Sequence, residues 1–237
     1  MDELPIISAS LLRDSESGCG LRVVQRWERA FALHLPFGPA RVRNPFVDQL
    51  RELHGSHDLI TPELLQYPEG LTGEELAVFA RARDGYCTVF ADAPAHRRDV
   101  AFGVPTVLPR RKVAIGAPID LALTAADGMR ELRLLFYGST QLIDRLEDDV
   151  RVRLAVLRMA VVDGPDAPVR ISAADVLNGD VMRWECTPSE ILPALGEWLD
   201  EQIAAITQVS PQPHRGTECT RCQFVHTCPA IADGAGG

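Results

Sequence analysis

Residues 113–138 read VAIGAPIDLALTAADGMRELRLLFYG, and this run governs the architecture expected of the chain. Val113 to Thr124 and Arg130 to Tyr137 are apolar enough to read as strands, and Asp99 to Val104 reads as a strand before them. Ala125-Ala126-Asp127-Gly128 is the turn between the second and third. Glu131-Leu132-Arg133 has the form E-x-R, and the two-residue period of a strand places both charges on one side.

Helical patterns lie on either flank. From Gly20 to Leu35, Leu21, Val24, Trp27, Phe31 and Leu35 recur at spacings of three and four, which predicts a helix with one apolar face. A short helix is expected around Phe46 to Leu53. Thr72 to Arg83 carries a capping box, with Thr72 as cap and Glu75 three residues on. Thr187 to Ile206 has a capping threonine, Pro188 in the first turn and an apolar stripe through Ile191, Leu195, Trp198, Leu199, Ile203 and Ile206. Arg151 to Val162 is apolar throughout, so periodicity leaves helix and buried strand open. Ser172 to Leu177 and Val181 to Trp184 are short pieces. The expected organisation is a single domain over 1–237. Within it lie an N-terminal helical region (1–95), an α/β core (96–207) and a cysteine-rich tail (208–237).

The formal net charge is -9, which excludes a generally basic nucleic-acid coat but leaves room for a basic groove. Only Lys112 among the 24 basic residues is a lysine. Chemistry that needs an ammonium must use it or go without. No stretch approaches ~20 apolar residues. The opening, with Asp2 and Glu3, lacks the order of a signal peptide, so no membrane association and a cytoplasmic location are expected.

Three of the six cysteines crowd the tail. Cys219-Thr220-Arg221-Cys222 forms a C-x2-C knuckle, Cys228 follows after five residues, and Pro229 comes next. Such spacing suits one metal or two corners of a cluster. Cys19, between two glycines, is the candidate fourth ligand, whereas Cys87 and Cys186 read as small core residues. A [4Fe-4S] cluster takes Cys19, Cys219, Cys222 and Cys228. Zinc is the alternative, on the same four or on Cys219, Cys222, Cys228 and His226.

Together these features resemble the PD-(D/E)XK nuclease superfamily, in its RecB-like iron–sulfur branch that includes Cas4 and AddB. The residues that carry the likeness are Ile7-Ser8-Ala9-Ser10-Leu11-Leu12 followed by Cys19-Gly20-Leu21-Arg22, the segment Gly116 to Asp120, the hairpin ending at Tyr137-Gly138, and the C-x2-C-x5-C tail. The resemblance implies a mixed sheet flanked by helices, a [4Fe-4S] cluster in the cysteine-rich segment, and DNA hydrolysis assisted by Mg2+ or Mn2+. It also implies an Asp, a second carboxylate and a lysine. Asp120 fits the first, but the other two positions read Leu134 and Phe136. Neither side chain binds a cation or orients a hydroxide.

The expected function is therefore a catalytically degenerate iron–sulfur pseudoenzyme, a DNA-binding or scaffold subunit with protein partners in a DNA-processing complex. One alternative is an active nuclease using Asp120 and Glu131, with Arg133 unable to serve as a base. Another is an iron–sulfur protein-interaction module without nucleic acid. Candidate DNA contacts are Arg22, Arg26, Arg110, Arg111, Lys112 and Arg221. His54, His57 and His96 are weighed as metal ligands against local hydrogen-bonding roles.

Overall fold

The structure, a computed structural model, describes residues 6–16, 19–20, 23–24, 43–98, 106–116, 119–138, 145–208, 219 and 228. In chain order its elements are β1 (Ile6–Ser8), α1 (Ala9–Glu16), α2 (Arg43–Leu53), α3 (Gly73–Val89), β2 (Ala95–Arg97), β3 (Thr106–Leu108) and β4 (Val113–Gly116). They continue with β5 (Leu121–Ala125), β6 (Arg130–Phe136), α4 (Val150–Asp163), β7 (Val169–Asp175), β8 (Asp180–Cys186) and α5 (Pro188–Gln208). The expected strand at 99–104 and nearly all of the expected helix at 20–35 lie outside the described residues.

The chain divides into two compact units, one of Met1–His34, Pro105–Ala117 and Pro193–Gly237, the other of Leu35–Val104 and Pro118–Leu192. The run from Val113 to Thr124, expected as one strand, is two. β4 belongs to the first unit and β5 to the second. The chemical reason lies in Gly116-Ala117-Pro118, since proline offers no N–H to continue a ladder.

In the first unit, β4 is the centre of a three-stranded sheet, parallel to β1 and antiparallel to β3. Ile7, Leu11, Leu12 and Ile115 are buried there. A 3-10 turn, Pro109–Arg111, joins β3 to β4, and Lys112 closes it at φ 52°. Arg111 reaches α5, pairing with the Asp200 carboxylate and donating to the Gly196 carbonyl at 3.2 Å.

In the second unit, five strands run in the order β2-β5-β6-β7-β8. All neighbours are antiparallel except β6 and β7, which are parallel and separated in sequence by α4. That connection follows from geometry, because parallel neighbours need a long crossover. The β5–β6 turn forms as its composition predicts: Gly128 takes φ 80°, and the Asp127 carboxylate accepts from Met129 N at 3.0 Å. The capping box at Thr72 and Glu75 is also present.

α4 settles the helix-or-strand question. Asp149 caps it, accepting from Arg151 N at 2.6 Å and Val152 N at 3.3 Å. Val150, Val152 and every residue from Leu154 to Ala160 are buried, on all sides of the helix. A helix buried all round needs no polar face, so the sequence shows no amphipathic period. α3 approaches β7 closely: an added Cβ on Gly85 lies only 1.9 Å from the Val176 carbonyl oxygen. Phe46 of α2 meets Phe79 and Tyr86 of α3 edge-on, with ring centroids 5.5 and 6.1 Å apart.

A mixed parallel and antiparallel α/β fold is thus present, but the PD-(D/E)XK assignment and its cluster-binding segment are corrected. Leu134 is fully buried in β6, where the motif needs a carboxylate facing a metal. Among the described residues no group of three or more His, Cys, Asp or Glu is placed to hold a metal ion.

Candidate functional site

Glu131 and Arg133 share one side of β6, as the strand period requires. The pair is 2% and 1% exposed, so it is structural chemistry in the interior and not a solvated pair beside a turn. Arg133 donates to both Glu131 carboxylate oxygens, Nε at 3.2 Å and Nη2 at 3.1 Å. Ser172 Oγ on β7 donates to the same carboxylate at 2.7 Å. Arg133 Nη1 donates to the Tyr86 hydroxyl at 2.8 Å and Nη2 to the Ala93 carbonyl at 2.8 Å. Its guanidinium lies 3.8 Å from the Phe90 ring centroid. A buried charge is tolerable only when paired and hydrogen-bonded this completely.

The network continues to His54. Its Nδ1 lies 2.7 Å from the Ala95 carbonyl, an acceptor only, so Nδ1 carries the proton. Nε2 is then the acceptor for the Tyr86 hydroxyl at 2.8 Å. The hydroxyl thus receives from Arg133 and donates to neutral His54. Burial, reinforced by the Arg133 charge, lowers the His54 pKa from 6.5 to about 4. Burial pushes the Tyr86 hydroxyl up to about 12. The imidazole is a satisfied interior hydrogen-bonding group, which answers its candidacy as a metal ligand. His57 and His96 are exposed; His57 meets Ser56 Oγ at 2.9 Å, and His96 lies 3.9 Å from the Asp58 carboxylate.

Asp120 is buried too, and its Oδ2 accepts from Leu135 N at 2.8 Å. Its carbonyl accepts from Arg51 Nε at 2.9 Å. The β5–β6 register pairs Leu123 with Glu131 and Leu121 with Arg133. Continued one residue back, it sets Asp120 three steps along the ladder from Glu131, roughly 10 Å at ~3.3 Å per residue. The carboxylates also have other partners: Asp120 Oδ2 accepts from Leu135 N, and Glu131 is held by Arg133 and Ser172. The Mg2+ or Mn2+ expectation is corrected because, among the described residues, no group of three or more His, Cys, Asp or Glu is placed to hold a metal ion.

The cofactor expectation is corrected as well. Cys19, Cys219 and Cys228 are described, yet they form no metal-holding group, and neither a [4Fe-4S] cluster nor zinc is supported. Cys222 and His226 lie outside the described residues. Cys87 and Cys186 are half-buried, and burial pushes each thiol up to about 11; Cys87 packs against the edge of the core. Of the candidate DNA contacts, Arg22, Arg26 and Arg221 lie outside the described residues. Arg110 and Lys112 are exposed, and Arg111 is engaged by Asp200.

Beside the buried network opens a cleft of about 510 Å3. The end of α3 and the following turn (Val89, Asp92, Ala93, Pro94) form one wall, and the β5–β6 turn (Ala125, Ala126, Asp127) forms another. Glu131, Arg170 and Arg183, on three successive strands, also line it. Arg170 is held between Asp127, at 2.8 Å, and Glu185, at 2.7 Å. No membrane-crossing helix occurs among the described residues.

Sequence reasoning missed Tyr86, Ser172, Asp92 and Arg183 as parts of this region. They come from elements far apart in the chain, and no local spacing joins them. Asp175 was missed similarly: it is buried and accepts from Gly138 N and Leu177 N, both at 3.1 Å, which ties the ends of β6 and β7. No protein-family model matches the chain and no curated protein matches it, so membership of the RecB, Cas4 and AddB branch is not supported.

Proposed function

We propose that the chain is a non-hydrolytic binding module whose small ligand docks in the cleft at the end of the five-stranded sheet. The observation that supports it is the state of Glu131. This carboxylate lines the cleft, but its oxygens are engaged by Arg133 and Ser172. A carboxylate bound by a guanidinium fork makes a rigid floor and a poor base or metal ligand. Apolar Val89, Ala93, Pro94, Ala125 and Ala126 supply the contact area, and the volume lies in the usual range of roughly 300–1,000 Å3 for small-ligand sites. Of the candidate DNA contacts among the described residues, Arg110 and Lys112 are the exposed ones, against the roughly six to ten phosphate contacts of a firm DNA-binding surface.

The test is a thermal-shift screen of small polar metabolites against the wild-type chain and Ala126→Trp. Ala126 is exposed on the cleft wall, so the indole fills the space without entering the core. Ligands that raise the wild-type melting temperature and leave Ala126→Trp unchanged support the cleft. Equal shifts in both proteins reject it.

A further inference from the structure

The charges that line the cleft do not all cancel internally. Glu131 is answered by Arg133, and Asp127 by Arg170. Two remain: Asp92 on one wall and Arg183 on β8. Both are exposed, and no ion pair within 4.0 Å joins either of them to another described residue or to each other. Among the described residues Arg183 makes a long 3.4 Å hydrogen bond to the Val89 carbonyl and lies 5.9 Å from the Phe90 ring. Opposite charges that line one concave space without an ion pair between them suit a ligand that carries both signs. Small apolar residues line the same cleft, and its volume of about 510 Å3 has room for a small ligand.

We infer that the cleft takes a short peptide with free termini and small aliphatic side chains. This assignment rests on the cleft reading above. The peptide carboxylate meets the Arg183 guanidinium, whose fork matches it in shape. The peptide ammonium meets Asp92. The methyl-sized side chains lie against Val89, Ala93, Pro94, Ala125 and Ala126.

The probe is tri-alanine, titrated by calorimetry into the full chain. Saturable binding is expected. N-acetylation or C-amidation of the peptide should weaken it about tenfold to a hundredfold, the worth of one charge-assisted hydrogen bond. Asp92→Asn should mimic the first loss and Arg183→Ala the second. Both residues are exposed, so both variants should keep the wild-type melting temperature, which separates lost binding from lost folding. Equal affinity for free and blocked peptides overturns the assignment. If Ala126→Trp still abolishes that binding, the cleft reading survives the failure. Absence of tri-alanine binding also overturns the peptide assignment; the metabolite screen then decides whether the cleft reading falls with it.

Discussion

Acidification should destabilise this protein through His54 before most carboxylates titrate. In the native state the imidazole is neutral, with Nδ1–H on the Ala95 carbonyl and Nε2 accepting from Tyr86. Protonation puts a second donor on Nε2, facing a hydroxyl that already accepts from Arg133. The folded pKa is lowered from 6.5 to about 4 by burial and by the Arg133 charge. The unfolded chain therefore takes up a proton that the folded chain refuses. Stability from this group is complete above the unfolded pKa and is lost as pH falls from about 6.5 towards about 4. With those two values the loss between pH 7 and pH 5 is about 2 kcal/mol, and the full loss below pH 4 is about 3 kcal/mol. The assay is urea unfolding at pH 7, 6 and 5 for the wild type and for His54→Gln. His54→Gln removes the titration and will be less stable at pH 7, because the Tyr86 and Ala95 hydrogen bonds are disturbed. Its stability should nevertheless fall less with acid, by about 2 kcal/mol over that range. Parallel pH dependences in the two proteins would refute the neutral, buried imidazole.

Three further outcomes follow from the same structure. Glu131→Gln removes the counter-ion of a buried guanidinium, so it should cost about 3–5 kcal/mol in urea unfolding. Adding Arg133→Met should recover part of that loss, because no bare charge remains. Asp120→Ala leaves the buried Leu135 N–H without its acceptor and should cost about 1–3 kcal/mol, whereas Asp120→Asn, which keeps an oxygen there, should cost less. Gly85→Ala should destabilise by about 3 kcal/mol, read from the denaturation midpoint, because its methyl meets the Val176 backbone carbonyl. In an open helix the same change stabilises.

Elements whose signals are local were legible in the sequence. The Thr72–Glu75 box, the Asp127-Gly128 turn and the long helix α5 each rest on residues a few positions apart. The α4 run stayed ambiguous because its burial on all sides erases the helical period, although Asp149 before it and Gly164 after it carried end signals. The break between β4 and β5 was missed because apolar character was read straight through Gly116-Ala117-Pro118. At the site, the E-x-R spacing placed Glu131 and Arg133 on one side of a strand, and the structure shows them paired at 3.1 Å. Their burial depends on α3 and on β7, through Tyr86 and Ser172, and no short window contains that information. Asp120 looked like a metal ligand because a carboxylate before a strand suits either a cation or a backbone N–H. The structure spends it on the N–H of Leu135.

Mn2+ binding followed by electron paramagnetic resonance tests most directly whether these carboxylates are structural. Titration of the full chain at neutral pH should reveal no saturable Mn2+ site that Asp120→Asn or Glu131→Gln abolishes. A stoichiometric site lost in either variant, with the fold intact, would contradict the structural assignment of both carboxylates and the non-hydrolytic reading built on it.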